Sequence, residues 1–203
     1  MVHKSNQVFT IVFLTSGSNV FLGYYRDPHL TAAVVDEDGW LHTGDVGEWL
    51  ENGTLKIIDH KKQIFKLSNG DYVAPETIEN IYKTSAFIAQ CFVHGDSHKS
   101  HVIAVVVPRQ KQIQDWAETH NIPNHSFTAL CCHKDVKKFI LSEMKALGQH
   151  YELSYYEEVK DVYLHPDLFT SENGLLSSSG KLKRTKLVKY FKPQLEDLYK
   201  YVN

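Results

Sequence analysis

Two Asn-Gly dipeptides, Asn52-Gly53 and Asn69-Gly70, each sit between short runs of β-forming residues. A tight connection between antiparallel strands needs left-handed backbone at its centre, which Asn and Gly supply at least cost, so each dipeptide predicts a hairpin. Residues 46–50 and 54–59 flank the first, residues 64–67 and 72–74 flank the second, and Asp59-His60-Lys61-Lys62 joins the two. Residues 8–14 add a further strand. Asp27-Pro28 offers an N-cap and a first helical position for a short helix over 30–35, which the acidic turn Asp36-Glu37-Asp38-Gly39 stops. The first third of the chain is therefore β-rich.

After Ala74-Pro75 the hydrophobic period changes. Ile78, Ile81 and Tyr82 recur at helical spacing, residues 87–93 and 102–108 read as strands, and 111–120 reads as a helix. Val136, Phe139, Ile140, Met144 and Leu147 mark an amphipathic helix ending at Gly148. A strand over 159–164, a Ser/Gly-rich loop over 168–179 and a helix over 185–199, kinked by Pro193, complete the chain. The pattern predicts an α+β fold: a β-rich part over residues 1–58, a hinge at 59–62, and a small α+β subdomain over 63–203 with a short sheet flanked by helices.

Charge narrows the function classes. With 22 Lys+Arg against 24 Asp+Glu the net charge is −2, too little positive field to hold nucleic acid along the chain. Three cysteines without a CxxC spacing argue against a disulfide scaffold or zinc ribbon and for a reducing compartment. The apolar run at 8–14 is far below the ~18–20 residues that span a bilayer. Lys4 before it and Ser16-Gly17 after it imitate a short signal peptide, but no A-x-A-like cleavage site follows and a buried strand explains the same residues.

Four local features bear on chemistry. His94, Asp96, His98 and His101 could hold a metal ion but also read as a structural polar turn, the reading preferred, with no functional metal expected. Cys131-Cys132-His133 could suggest a thiolate site, although adjacent cysteines point apart at a helix start. Lys181, Lys183, Arg184, Lys186, Lys189 and Lys192, with Tyr190 and Phe191, form a basic aromatic stretch that alone could signal nucleic-acid or membrane-surface binding, but its acidic continuation Glu196-Asp197 and the net charge of −2 favour a local role. At Gly44-Asp45 a glycine lets a ligand approach the backbone while the carboxylate can accept hydrogen bonds from two adjacent hydroxyls, a geometry that suits a ribose diol.

The whole segment from Asp38 to Lys62, containing Thr43-Gly44-Asp45 and Ile58-Asp59-His60, resembles the signature of the adenylate-forming acyl-CoA synthetases. Gly23-Tyr24-Tyr25-Arg26-Asp27-Pro28 with Thr31, the stretch from Lys66 to Glu79, and Gly174 to Arg184 are similar to further blocks of that family. Lys56-Ile57-Ile58-Asp59 and Ala74-Pro75-Glu76-Thr77-Ile78-Glu79 resemble the long-chain fatty acid–CoA ligases in particular, here their C-terminal portion. The resemblance implies that residues 1–58 correspond to the end of a large domain's β-subdomain and that the rest is a mobile C-terminal subdomain. It implies ATP, with Mg in the complete enzyme, a long-chain fatty acid and CoA as substrates and partners, and acyl-CoA, AMP and pyrophosphate as products.

For single residues the resemblance implies that Asp45 binds the ribose hydroxyls, Asp59 is the hinge, Gly70 lines the pantetheine channel and Lys181 neutralises charge in adenylation. His60 stands where the family has arginine, so nucleotide affinity is expected to fall. No Ser/Thr/Gly-rich phosphate loop, adenine segment or acyl tunnel is found, and residues 1–15 do not match. The reading is therefore a ligase fragment, soluble, intracellular and inactive alone, whose complete enzyme associates with the endoplasmic reticulum or other membranes through upstream sequence. The alternative is a non-catalytic binding or regulatory module derived from such a ligase. A basic adaptor for membranes or nucleic acid is a weaker third reading.

Overall fold

The computed structural model describes residues 11–50, 52–123 and 126–201, so expectations for residues 1–10 lie outside them. The chain divides into two compact units, Met1–Ile64 and Phe65–Asn203.

In the first unit, β1 (Ile11–Thr15), β2 (Leu41–Trp49) and β3 (Leu55–His60) form an antiparallel sheet in chain order. Its β2–β3 turn is the first Asn-Gly hairpin: Leu50 N–H donates to the Thr54 carbonyl at 2.8 Å, and Gly53 takes φ +78°. The short helix α1 runs Pro28–Ala32, with the Asp27 side chain accepting from Leu30 N–H at 2.9 Å. It ends earlier than the sequence pattern suggested because the next residues turn extended: His42 N–H donates to the Val34 carbonyl and Val35 bridges Leu41.

The second unit opens with the second hairpin, β4 (Phe65–Lys66) against β5 (Tyr72–Val73), leading directly into α2 (Pro75–Tyr82). Its main sheet has the order β6-β7-β8, in which β6 (Ile88–Gly95) is antiparallel and β8 (Val159–Leu164) parallel to the central β7 (Val102–Pro108). The crossover from β7 to β8 carries α3 (Gln110–Thr119), α4 (Phe127–Cys131) and α5 (Lys134–His150). After β8 come α6 (Arg184–Tyr190) and α7 (Lys192–Tyr201).

Every residue of β7 is buried, as its unbroken apolar run requires. Val102, Ala104 and Val106 join the core formed with α2, α3 and α5, while Ile103, Val105 and Val107 join Phe169, Leu175, Leu187, Phe191 and Leu195 on the opposite face. On α5 the buried residues Val136, Ile140, Met144 and Gly148 recur every fourth position, and the helix continues past Gly148 to His150. The expected single helix over 185–199 is two helices, because Pro193 lacks the N–H an interior position needs and sits instead in the first turn of α7.

Burial holds the imidazoles of His94, His101 and His165 below their ordinary pKa, with Lys99 and Lys160 adding to the effect at His101. A lowered folded pKa means that the neutral ring's stability is fully present above the unfolded value of 6.5 and is lost as pH falls below it. Thermal melts of the chain should therefore show Tm dropping between pH 7 and pH 5, and His101→Gln should flatten that fall.

Candidate functional site

Asp45, Asp59 and His60 come together in the β2–β3 ladder, where Asp45 faces His60 and Val46 faces Asp59. Asp45 is half-buried, and its backbone N–H donates to Thr43 Oγ1 at 3.0 Å within β2, across the left-handed Gly44. Asp59 is only 4% exposed, and its carboxylate accepts from the His60 N–H at 2.6 Å. The His60 ring lies over Gly44: a Cβ there would sit 2.6 Å from His60 Nε2, and Gly44 already holds φ +77°. Lys62 N–H donates to His60 Nδ1 at 3.2 Å, which makes Nδ1 the acceptor and leaves Nε2 to carry the proton of the neutral ring. Gly44→Ala combines a ring clash with left-handed strain of about 1–2 kcal/mol. It is expected to lower the denaturation midpoint of the first unit, measured by tryptophan fluorescence of Trp40 and Trp49 in urea.

Gly70 closes the β4–β5 hairpin at φ +95°, with its N–H donating to the Leu67 carbonyl at 3.0 Å. Nothing lies within 4 Å of where a Cβ would stand, so the loop presents bare backbone to solvent. The Ser68 N–H donates to the Lys99 carbonyl at 2.9 Å and braces this hairpin on the β6–β7 turn.

Lys181 does not lie on an irregular loop. Leu176 and Leu182 form an antiparallel bridge, Ser177 N–H donates to the Lys181 carbonyl at 2.8 Å, and Lys181 N–H returns a bond to Ser177 Oγ at 3.0 Å. Gly180 supplies the left-handed residue of the turn at φ +78°, and Leu175 anchors the base in the core. The result is a miniature hairpin with an exposed lysine at its tip.

Arg184, three residues on, makes the paired contact that sequence reasoning missed. Its Nη1 and Nη2 donate to Glu79 Oε1 and Oε2, both at 2.8 Å, and Val93 N–H donates to Oε1 at 2.8 Å. Glu79 is 1% exposed; burial pushes its carboxyl up, against the downward pull of Arg184 and of the Val93 amide. The available signal was a carboxylate between Ile78 and Tyr82 on the buried face of α2, which demands a cationic partner.

In the other clusters the side chains meet near neighbours. Asp96 accepts from His98 N–H at 2.8 Å and meets His98 Nδ1 at 2.9 Å, while the His101 ring packs on Tyr199. Among the described residues no group of three His, Cys, Asp or Glu is arranged to hold a metal ion. Cys131 is buried on α4, its thiol pushed up to about 12 by burial, and His133 caps α5 by accepting from Asp135 N–H at 3.2 Å. Of the basic stretch, Arg184 is paired with Glu79 and Lys192 lies 3.8 Å from Glu196. Among the described residues no helix is long and apolar enough to cross a membrane.

Comparison with known proteins gives these positions a context. Residues 77–146 match the AMP-binding enzyme C-terminal domain. Over 183 residues, 90% of this chain and 26% of the relative, the chain is 54% identical to human long-chain-fatty-acid–CoA ligase 1. It is 45% identical, over the same shares, to the peroxisomal long chain acyl-CoA synthetase 7 of Arabidopsis thaliana. Among solved structures it is similar to the adenylation domain of a carboxylate reductase from Mycobacterium chelonae, with a TM-score of 0.82 at 33% identity over 97% of this chain and 28% of that one. A carboxylic acid reductase domain from Segniliparus rugosus, in complex with AMP and a co-purified carboxylic acid, matches with a TM-score of 0.80 at 30% identity over 98% of this chain and 30% of that one. The chain spans about a quarter of the length of the curated relatives it matches.

Proposed function

We propose that this chain, through the AMP-binding enzyme C-terminal domain that its residues 77–146 match, serves the activation of a long-chain fatty acid to acyl-CoA through an acyl-adenylate. In the first half-reaction a carboxylate oxygen of the acid attacks the α-phosphorus of ATP and pyrophosphate leaves. In the second the CoA thiol attacks the acyl carbon, loses its proton and expels AMP. Both half-reactions move negative charge, and the observation that carries the reading is a lysine held at the tip of a braced hairpin, Lys181, free to place its ammonium against that charge.

In this reading Lys181 neutralises charge between the acyl carboxylate and the α-phosphate, and Asp45 accepts from the ribose hydroxyls. Asp59 is the hinge at which the following residues turn between the half-reactions. Gly70 lets pantetheine pass close to bare backbone. His60 supplies a single Nε2 donor where an arginine would bring a fork and a fixed charge, so it holds nucleotide weakly. The described residues hold no acidic trio suited to the Mg that accompanies ATP, and no step is assigned to it.

The 203 residues carry no recognisable triphosphate loop or acyl tunnel, so the chain by itself is expected to produce no acyl-CoA from ATP, palmitate and CoA. Adding the N-terminal portion of a long-chain ligase should restore AMP and acyl-CoA formation that depends on Lys181. Restored turnover indifferent to Lys181 would overturn the reading. The engagement of His60 with Gly44 and Lys62 favours a second reading, a binding module that never processes nucleotide. Calorimetry separates the two, since saturable CoA binding without any ATP binding belongs to the module alone.

A further inference from the structure

We propose that Glu79 and Arg184 are positioning residues for Lys181: their buried pair fastens the lysine hairpin to α2 and to the outer edge of β6, so that Lys181 moves only with the body of its unit and never on a loop of its own. The inference rests on the reading of Lys181 as the adenylation lysine.

The argument begins at the sheet edge. Among the described residues β6 is the first strand of its sheet and pairs with β7 alone, so alternate N–H and C=O groups along its outer side face no described strand. At Val93 that edge is completed by side chains. Glu79 Oε1 takes the Val93 N–H at 2.8 Å, and Arg184 Nη1 approaches the Val93 carbonyl at 3.4 Å. The ion pair thus stands in for a neighbouring strand, with its two parallel 2.8 Å bonds fixing the guanidinium plane. The same guanidinium lies 5.9 Å from the Phe92 ring centroid.

From that fixed point the chain runs back through few free bonds. Lys183 N–H donates to the Leu175 carbonyl at 2.9 Å, Leu182 bridges Leu176, and Lys181 is bonded twice to Ser177. At the other end of the segment Gln90 on β6 both donates to the Phe169 carbonyl at 3.0 Å and accepts from the Phe169 N–H at 2.7 Å. The stretch between Phe169 and Arg184 is therefore clamped at both ends to one strand. Arg184 lies three positions after Lys181, a contour of roughly 10 Å, so loss of the Arg184 clamp acts directly on the lysine's backbone.

Amide hydrogen exchange read by mass spectrometry on the 203-residue chain tests the proposal, with trypsin cleavage after Lys181 as a second probe. Glu79→Gln and Arg184→Gln should raise exchange in the 175–183 peptide by at least about tenfold, the change given by about 1.4 kcal/mol of local opening, beyond the rise that the loss of global stability measured in urea gives β7 and α5. Arg184→Lys, which keeps the charge but loses the fork, should recover part of the protection and fold if the glutamine variants do not. Unchanged exchange at 175–183, or a rise there no larger than that at β7 and α5, would overturn the proposal, the latter because a merely structural pair loosens everything alike. Exchange needs no turnover, so its failure leaves the acyl-activation reading standing. Indifference of turnover to Lys181 in the reconstituted assay overturns that reading alone.

Discussion

Arg184→Met is expected to destabilise the 65–203 unit by about 3–5 kcal/mol at pH 7.5, because it strands a buried carboxylate without its cation. Glu79 is 1% exposed, and the Val93 N–H is its remaining hydrogen-bond donor given by the structure. The double variant Glu79→Met/Arg184→Met removes both charges and should lose far less, giving a coupling free energy of about 2 kcal/mol or more in a double-mutant cycle. The pH dependence has a definite sign. Loss of Arg184 removes the groups' mutual downward pull, so burial raises the Glu79 carboxyl further above its ordinary value. A raised folded pKa favours the protonated form, and stability is lost as pH rises through it. Arg184→Met should therefore lie closer to the parent chain at pH 5 than at pH 7.5. Urea melts at the two pH values measure this, and additive single and double variants would refute the coupling.

Lys181→Ala is expected to cost about 10²–10³-fold in acyl-adenylate formation when the chain is combined with a ligase N-terminal portion, the scale of losing one preorganised charge-stabilising donor. Conversion of supplied acyl-adenylate to acyl-CoA should change little, since the lysine is assigned to the first half-reaction only. Lys181→Arg should not recover full activity, because a planar, delocalised fork places its charge differently from a compact ammonium. Pyrophosphate release reads the first step and thioester formation the second. Equal losses in both would refute the division of labour. Gly70→Ala is expected to show the opposite split, with thioester formation suffering more.

The elements that could be read from the sequence are those whose signal is local. Asn52-Gly53 and Asn69-Gly70 carry their own turn geometry, and both hairpins form where expected. The unbroken apolar run of β7 and the fourfold spacing on α5 were likewise visible, since each is set by periodicity within one element. What stayed hidden depends on distant partners. The pairing of Glu79 with Arg184 spans 105 residues, and Gln90 with Phe169 spans 79, so neither can be inferred from spacing. The helix α4 escaped because five residues give too short a period, and its Ser126 cap was the one available sign. The stretch 168–179 reads from its Ser and Gly content as a loop, yet Leu175 and Leu176 within it are the apolar residues on which the lysine hairpin is built.

The buried central strand β7 carries a cost during synthesis. Val102 to Val107 is a six-residue stretch of Val, Ile and Ala without charge, the composition of segments that stack into cross-β aggregates when left uncovered. Its hairpin partner β6 is near in sequence, but β8 follows only at Val159, and the layer containing Phe169, Leu187 and Phe191 emerges later still. Until then Ile103, Val105 and Val107 lack their cover. A nascent chain halted before α6 is a candidate for chaperone capture, and α6 and α7 act as its lid against self-association.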